Sequence, residues 1–115
     1  MKVFNYSEVK AEKAEGEGAS RLKVRWLITK DIGAENFAMR LFEMDPDGHS
    51  PLHAHPWEHE IFILEGEGTV VGADCERRFR AGDVIFIPPN ERHQLKNDGK
   101  AAVKFLCLIP HSAGP

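Results

Sequence analysis

The chain has 115 residues, of which 42% are hydrophobic and 29% charged, and 18 acidic against 15 basic side chains leave a net charge of −3. This length suits one domain with a real core, and the composition excludes a disordered, collagen-like or disulfide-built chain. No basic excess or Lys/Arg stripe points to a nucleic-acid partner.

The first stretch, MKVFNYSEVKAEKAEGEG, lacks the apolar run of a secretory signal. No segment reaches the roughly 18 apolar residues of a membrane helix, so a soluble cytoplasmic protein without a membrane partner is expected. Helical signal is confined to residues 8–15, where Val9, Ala11 and Ala14 are weak and Gly16 and Gly18 end the run. Residues 1–20 therefore read as a polar lead-in, and residues 21–115 as the folded domain.

Beyond Arg21 the pattern is one of short strands. Leu22, Val24, Trp26 and Ile28 alternate with polar residues, and residues 36–44 are apolar on both faces apart from Arg40 and Glu43. Asp45-Pro46-Asp47-Gly48 reads as a turn in which Pro46 presets φ and Gly48 supplies a positive φ. Residues 61–64 and 69–72 flank Glu65-Gly66-Glu67-Gly68 and read as a hairpin. Gly82-Asp83 opens the apolar run 84–87, Pro88-Pro89-Asn90 stops it, and residues 102–109 form a last strand. Seven or more short strands at this spacing predict an all-β sandwich or barrel. Cys75 and Cys107 are too few for a disulfide framework and read as small buried or half-buried thiols.

Four of the six histidines form one informative arrangement: His53, His55, His59 and His93. His53 and His55 are two apart and share a face on a strand. Pro56 interrupts pairing, so a turn can bring His59 back towards them. His93 opens a later strand that a barrel can set opposite the first group. Converging imidazoles are a transition-metal pattern, because packing them together without an ion costs desolvation and mutual repulsion. His49 and His111 read as ordinary surface or hydrogen-bonded residues.

Residues 48–66, GHSPLHAHPWEHEIFILEG, resemble the first cupin motif, G(X)5HXH(X)3–4E(X)6G. Residues 82–97, GDVIFIPPNERHQLKN, resemble the second, G(X)5PXG(X)2H(X)3N. The chain departs from the pattern in three places. Gly48 lies one residue closer to His53. Asn90 stands for the internal glycine and is expected to keep its left-handed turn. At the position where most cupins carry a glutamate ligand stands His59; Glu58 falls one residue short, and Glu60 belongs to the opposite strand face. A centre of four histidines is the reading. It would leave a bound divalent ion its full charge and favour anionic or oxygen-donor ligands.

HPWEHEIF, NFAMRLF, the PNE-H segment and FLCLIP are similar to the small single-domain four-histidine manganese cupins of hyperthermophilic bacteria. This resemblance implies an all-β, single-domain cupin: a double-stranded β-helix, or jelly-roll barrel, over residues 21–115. It also implies a homodimer in which the first residues of the 1–20 segment can pair with a partner subunit. The implied cofactor is Mn(II), with Fe, Ni, Cu and Zn as alternatives. The implied activity is dioxygenase-like oxidation of a small organic substrate, including cleavage of carbon–carbon double bonds with a peroxide. A non-enzymatic small-molecule-binding cupin and a metal-dependent isomerase or decarboxylase are the competing readings.

On the last strand Val103, Phe105, Cys107 and Ile109 share a face opposite Lys104, which prefers solvent. Phe105, Cys107 and Ile109 are expected to line the pocket, with plain core packing as the competing reading. Arg40 is either a pocket cation or half of a rim ion pair, the latter favoured. Trp57 is expected to act as a lid packed over the histidine turn rather than as a ring stacking on substrate.

Overall fold

Alternating apolar and polar residues yield nine strands among the residues that the computed structural model describes, 1–14 and 18–113. They are β1 (Glu12–Lys13), β2 (Ser20–Ile28), β3 (Phe37–His49), β4 (His59–Glu65), β5 (Glu67–Val71), β6 (Glu76–Arg80), β7 (Val84–Ile87), β8 (Gln94–Lys96) and β9 (Val103–Pro110). Among the described residues there is no α-helix, only single 3-10 turns at Tyr6–Glu8, Lys30–Ile32 and His111–Ala113.

β3 is the organising strand. Along one edge it pairs antiparallel with β2, from Leu22↔Met44 to Ile28↔Met39. Its other edge pairs with β9, from Phe37↔Pro110 to Met44↔Val103, and its far end reaches β8 at His49↔Lys96. β9 passes on to β4 and β4 to β7, while β8 passes to β5 and β5 to β6. The result is one curled sheet of jelly-roll form. Its concave side buries Leu22, Met44, Ile61, Ile63, Phe79, Leu95, Val103 and Phe105. In β9 the inward residues Val103, Phe105, Cys107 and Ile109 are all buried, as the alternation of that strand requires.

The lead-in carries a short strand, and two local expectations need correction. Within residues 8–15, whose helical signal is weak, Glu12–Lys13 pairs with Lys23 and Val24 at the edge of β2; Glu15 lies outside the described residues. Val9, Ala11 and Ala14 give a helix little apolar surface to bury, whereas the β2 edge offers backbone partners. Asp45-Pro46-Asp47-Gly48 does not end a strand but is a bulge within β3, opposite a shift of register between Ser20 and Leu22. There Asp47 carries the positive φ of 68°. Gly48 is needed for space, since a Cβ would stand 2.8 Å from Asp45 O and 2.9 Å from Arg21 O.

The second correction concerns Glu65-Gly66-Glu67-Gly68. β4 and β5 do not pair with each other: β4 pairs with β7 and β9, and β5 with β6 and β8. The segment is a corner that hands the chain across the barrel. Gly66 turns it with φ 88°, and a Cβ there would lie 2.6 Å from Ala102 O and 2.9 Å from Val103 Cα. Gly82 has a similar φ of 93° but open space around it. Gly82→Ala should therefore lose only the left-handed strain, about 1–2 kcal/mol. Gly66→Ala should lose at least about 2 kcal/mol more through the backbone clash. Urea unfolding of the two variants checks this, and equal midpoints would contradict it.

Candidate metal centre

Two loops bring the four histidines together. After β3, Pro51 and Pro56 lack the N–H that regular pairing needs, so residues 50–58 cross the barrel mouth as a loop. One isolated bridge anchors that loop: His53 N donates to His93 O at 3.1 Å and His93 N to His53 O at 2.9 Å. A second contact comes from the Pro88-Pro89-Asn90 turn, where Asn90 N donates to His55 O at 2.7 Å. Asn90 is left-handed with φ 68°, so it does fill the glycine's place. His59 opens β4, and His93 directly precedes β8.

One ligand nitrogen from each of His53, His55, His59 and His93 lies within 4.8 Å of all the others. His55 Nε2 and His59 Nε2 are only 2.9 Å apart. With metal–nitrogen bonds of about 2.1 Å, adjacent ligands of an octahedron stand about 3.0 Å apart and opposite ones about 4.2 Å, against about 3.4 Å for every pair in a tetrahedron. The 2.9 Å pair matches adjacent positions of an octahedron, while the 4.8 Å span of the set is wider than such bonds reach, so the rings would draw in slightly around an ion. Four imidazoles so placed could hold one divalent ion.

The outer nitrogens support the same use of the rings. His55 Nδ1 is 3.1 Å from Trp57 O, His93 Nδ1 is 2.8 Å from Glu91 O and His59 Nδ1 is 3.0 Å from Cys107 Sγ. Each contact can take an Nδ1–H and so free the opposite Nε2 lone pair for a metal, the usual arrangement around ligating histidines. For His59 this makes the Cys107 sulfur the acceptor, and Arg40 Nη2 donates to that same sulfur at 3.0 Å.

Burial and neighbouring charge favour the neutral form of His53, His55 and His59. Burial is the main cause that lowers His59 from 6.5 to about 3, with Arg40 and the other histidines adding to it. Burial followed by repulsion from His93 and His55 lowers His53 to about 4, and burial also lowers His55. Burial raises the Cys107 thiol, which stays protonated near neutral pH. Glu58 and Glu60 do not join the cluster; both line a recess with Phe37, Leu108 and Ile109.

The quartet opens into a cavity of about 410 Å³, a size typical of small-ligand sites. His53, His59 and His93 lie in its wall, together with Arg40, Phe105 and Cys107. Ile109, expected to line the pocket, is instead buried beside the Glu58 and Glu60 recess. Trp57 packs on the histidine turn, stacked on His55 with ring centroids 4.2 Å apart, and is not part of the cavity wall. Arg40 makes no rim ion pair within the described residues and sits inside the cavity. Sequence reading left out Trp26 and Phe42, which line the cavity and face Arg40, and Glu12, Lys13 and Ala14 near them. The alternation of β2 already set Trp26 on the inner face; nothing in the sequence marked residues 12–14. His49 contacts Ser50 O and His111 contacts Ala34 O, both away from the quartet.

The lowered histidines make metal-free stability pH-dependent. An unfolded histidine takes up its proton near 6.5, whereas folded His53 and His59 resist to about 4 and about 3. Their contribution is complete above about pH 6.5 and is lost as the pH falls towards 3. Metal-free protein should melt progressively lower from pH 7 to pH 4, and a His53→Gln/His59→Gln double variant should show a shallower slope. Identical slopes in the two proteins would contradict this.

Comparison with known proteins agrees with this geometry. A family model described as a cupin domain matches residues 40–109. The oxalate-binding protein of Thermotoga maritima is 31% identical over 113 residues, covering 93% of this chain and 92% of that protein. The 1-methylthio-D-xylulose 5-phosphate methylsulfurylase of Rhodospirillum rubrum is 30% identical over 86% of this chain, which spans only 63% of that enzyme. Among solved structures, the polyketide cyclase RemF from Streptomyces resistomycificus superposes with a TM-score of 0.91 at 37% identity, covering 96% of this chain and 79% of that one. With the jelly-roll strand order and both histidine loops in place, the chain belongs to the cupin family.

Proposed function

We propose that this cupin is a metal-dependent oxidoreductase of dioxygenase type, acting on a small organic molecule with Mn(II) held by His53, His55, His59 and His93. The observation that carries the reading is the convergence of four ligand nitrogens, two of them 2.9 Å apart, at the wall of a cavity; an octahedral ion held by them would keep two positions for other ligands. A bound redox-active ion would supply Lewis acidity and single-electron steps to a substrate and an oxidant held side by side.

The chain's own residues set the conditions for that chemistry. Four neutral ligands leave the positive charge of an ion undiminished, which favours electron-rich oxygen ligands. Trp57 O, Glu91 O and Cys107 Sγ fix the outer nitrogens and so the ring orientations. Phe105, Phe42, Ile61 and Ile87 present an apolar wall that limits water around the reacting atoms. We propose in addition that the protein works as a cytoplasmic homodimer whose first residues pair with the partner subunit.

A second reading has an observation in its favour: one relative, 31% identical, is an oxalate-binding protein. A binding protein, or an isomerase or decarboxylase, would use the same ligands without an oxidant. Manganese- and zinc-loaded samples, assayed for oxidative cleavage of an aryl alkene with a peroxide, separate the readings. Turnover is expected with manganese and not with zinc, and His59→Ala should lose metal affinity by at least about tenfold. Equal behaviour of the two metals, or an unaffected His59→Ala protein, would sink the oxidoreductase reading.

A further inference from the structure

The inner face of β3 is occupied by Ala38, Arg40, Phe42 and Met44, and only Arg40 among them is charged. Its guanidinium carbon lies 4.8 Å from the Phe42 ring centre and 5.4 Å from that of Trp26. Nη2 donates to Cys107 Sγ at 3.0 Å and stands 3.4 Å from His59 Nδ1. Nε is buried without a hydrogen-bond partner. Among the described residues no carboxylate lies within ion-pair distance of Arg40. Glu12, the one acidic residue of the cavity lining, is exposed and adjoins Lys13.

A partly buried guanidinium without a counter-ion is costly, and aromatic faces offset only part of that cost. A metal on four neutral imidazoles would add a second positive focus to the same cavity. Glu12, Lys13 and Ser50 are the other polar residues of the lining, and the walls of Leu22, Val24, Ile61, Ile87, Leu95 and Phe105 offer hydroxyl groups no partner. A polyol lying against those walls would leave hydroxyls unpaired.

We propose that Arg40 anchors the ligand, and that the ligand class is a small carboxylate carrying one apolar, ring-sized body. This deepens the metal-centre reading and rests on it for the second positive focus, although the contact with Arg40 itself needs no metal. The planar guanidinium matches a carboxylate in a way that a point charge does not. One imidazole ring, that of His59, separates Arg40 from the point where the four histidines converge. A carboxylate held on Arg40 therefore keeps the carbons next to it beside that point.

Calorimetric titration with phenylacetate, its neutral amide phenylacetamide, and oxalate tests the assignment. Metal-free and zinc-loaded protein should be used, with metal content measured on each sample. Phenylacetate should bind at least about tenfold more tightly than both phenylacetamide and oxalate. Arg40→Met should lose at least about tenfold of the phenylacetate affinity and none of the phenylacetamide affinity, with Arg40→Lys in between. If Arg40→Met does not fold, the acid-to-amide ratio in the unaltered protein decides. Equal affinities for acid and amide, preference for oxalate, or binding of none of the three would overturn the proposal. Retained acid preference in protein that takes up no zinc would uphold Arg40 as the anchor and reject the metal-centre reading.

Discussion

Two backbone hydrogen bonds exchanged between His53 and His93 hold the loop after β3 against the approach to β8. The loop between β3 and β4 has no other ladder of its own, because Pro51 and Pro56 interrupt pairing on either side. Two of the four imidazoles are aligned by this bridge, and a third, His55, is tied to the other motif loop through Asn90. His59 alone is placed by a regular strand, β4. The centre is thus a seam between two loops on a rigid barrel, and its ring spacings are inherited from backbone geometry.

That seam gathers imidazoles with no acidic side chain among them. The proton affinities of His53, His55 and His59 are lowered by burial and by neighbouring histidines, so the metal-free quartet is an unfavourable set of facing lone pairs. A cation placed at the convergence point would offset that cost, and at a hundred times its dissociation constant it would add about 2.7 kcal/mol to stability. Arg40 extends the same theme into the cavity, where positive charge meets aromatic and aliphatic walls. Ligand choice and metal retention are therefore both matters of where negative charge or electron pairs are supplied.

Much of this was legible in the sequence, for definite reasons. Residues 103–109 alternate strictly, so their inward face could be read from Lys104 alone. The histidines stand at motif spacings, and His59 rather than Glu58 or Glu60 was identifiable by counting from His55 and Gly66. Asn90 could be assigned its positive φ because few residues other than glycine accept one. What escaped were choices made by tertiary contact. Which strands flank Gly66 depends on barrel closure, and a local turn signal cannot tell a hairpin from a corner. That Gly48 is needed for space while Asp47 takes the positive φ depends on the close approach of Asp45 O and Arg21 O across the bulge, which no local turn signal contains. Arg40 carries the same letter whether it faces a rim carboxylate or two aromatic rings from inside.

The four imidazoles are proposed to hold one ion of six-coordinate geometry with two positions open to other ligands. Titration of chelator-stripped protein with Co(II), followed by its visible absorption, tests it most directly. Saturation is expected at one ion per chain, with the weak bands of a six-coordinate ion and a change in those bands when a small anion is added. The intense bands of a tetrahedral site, or the absence of saturable binding, would contradict it.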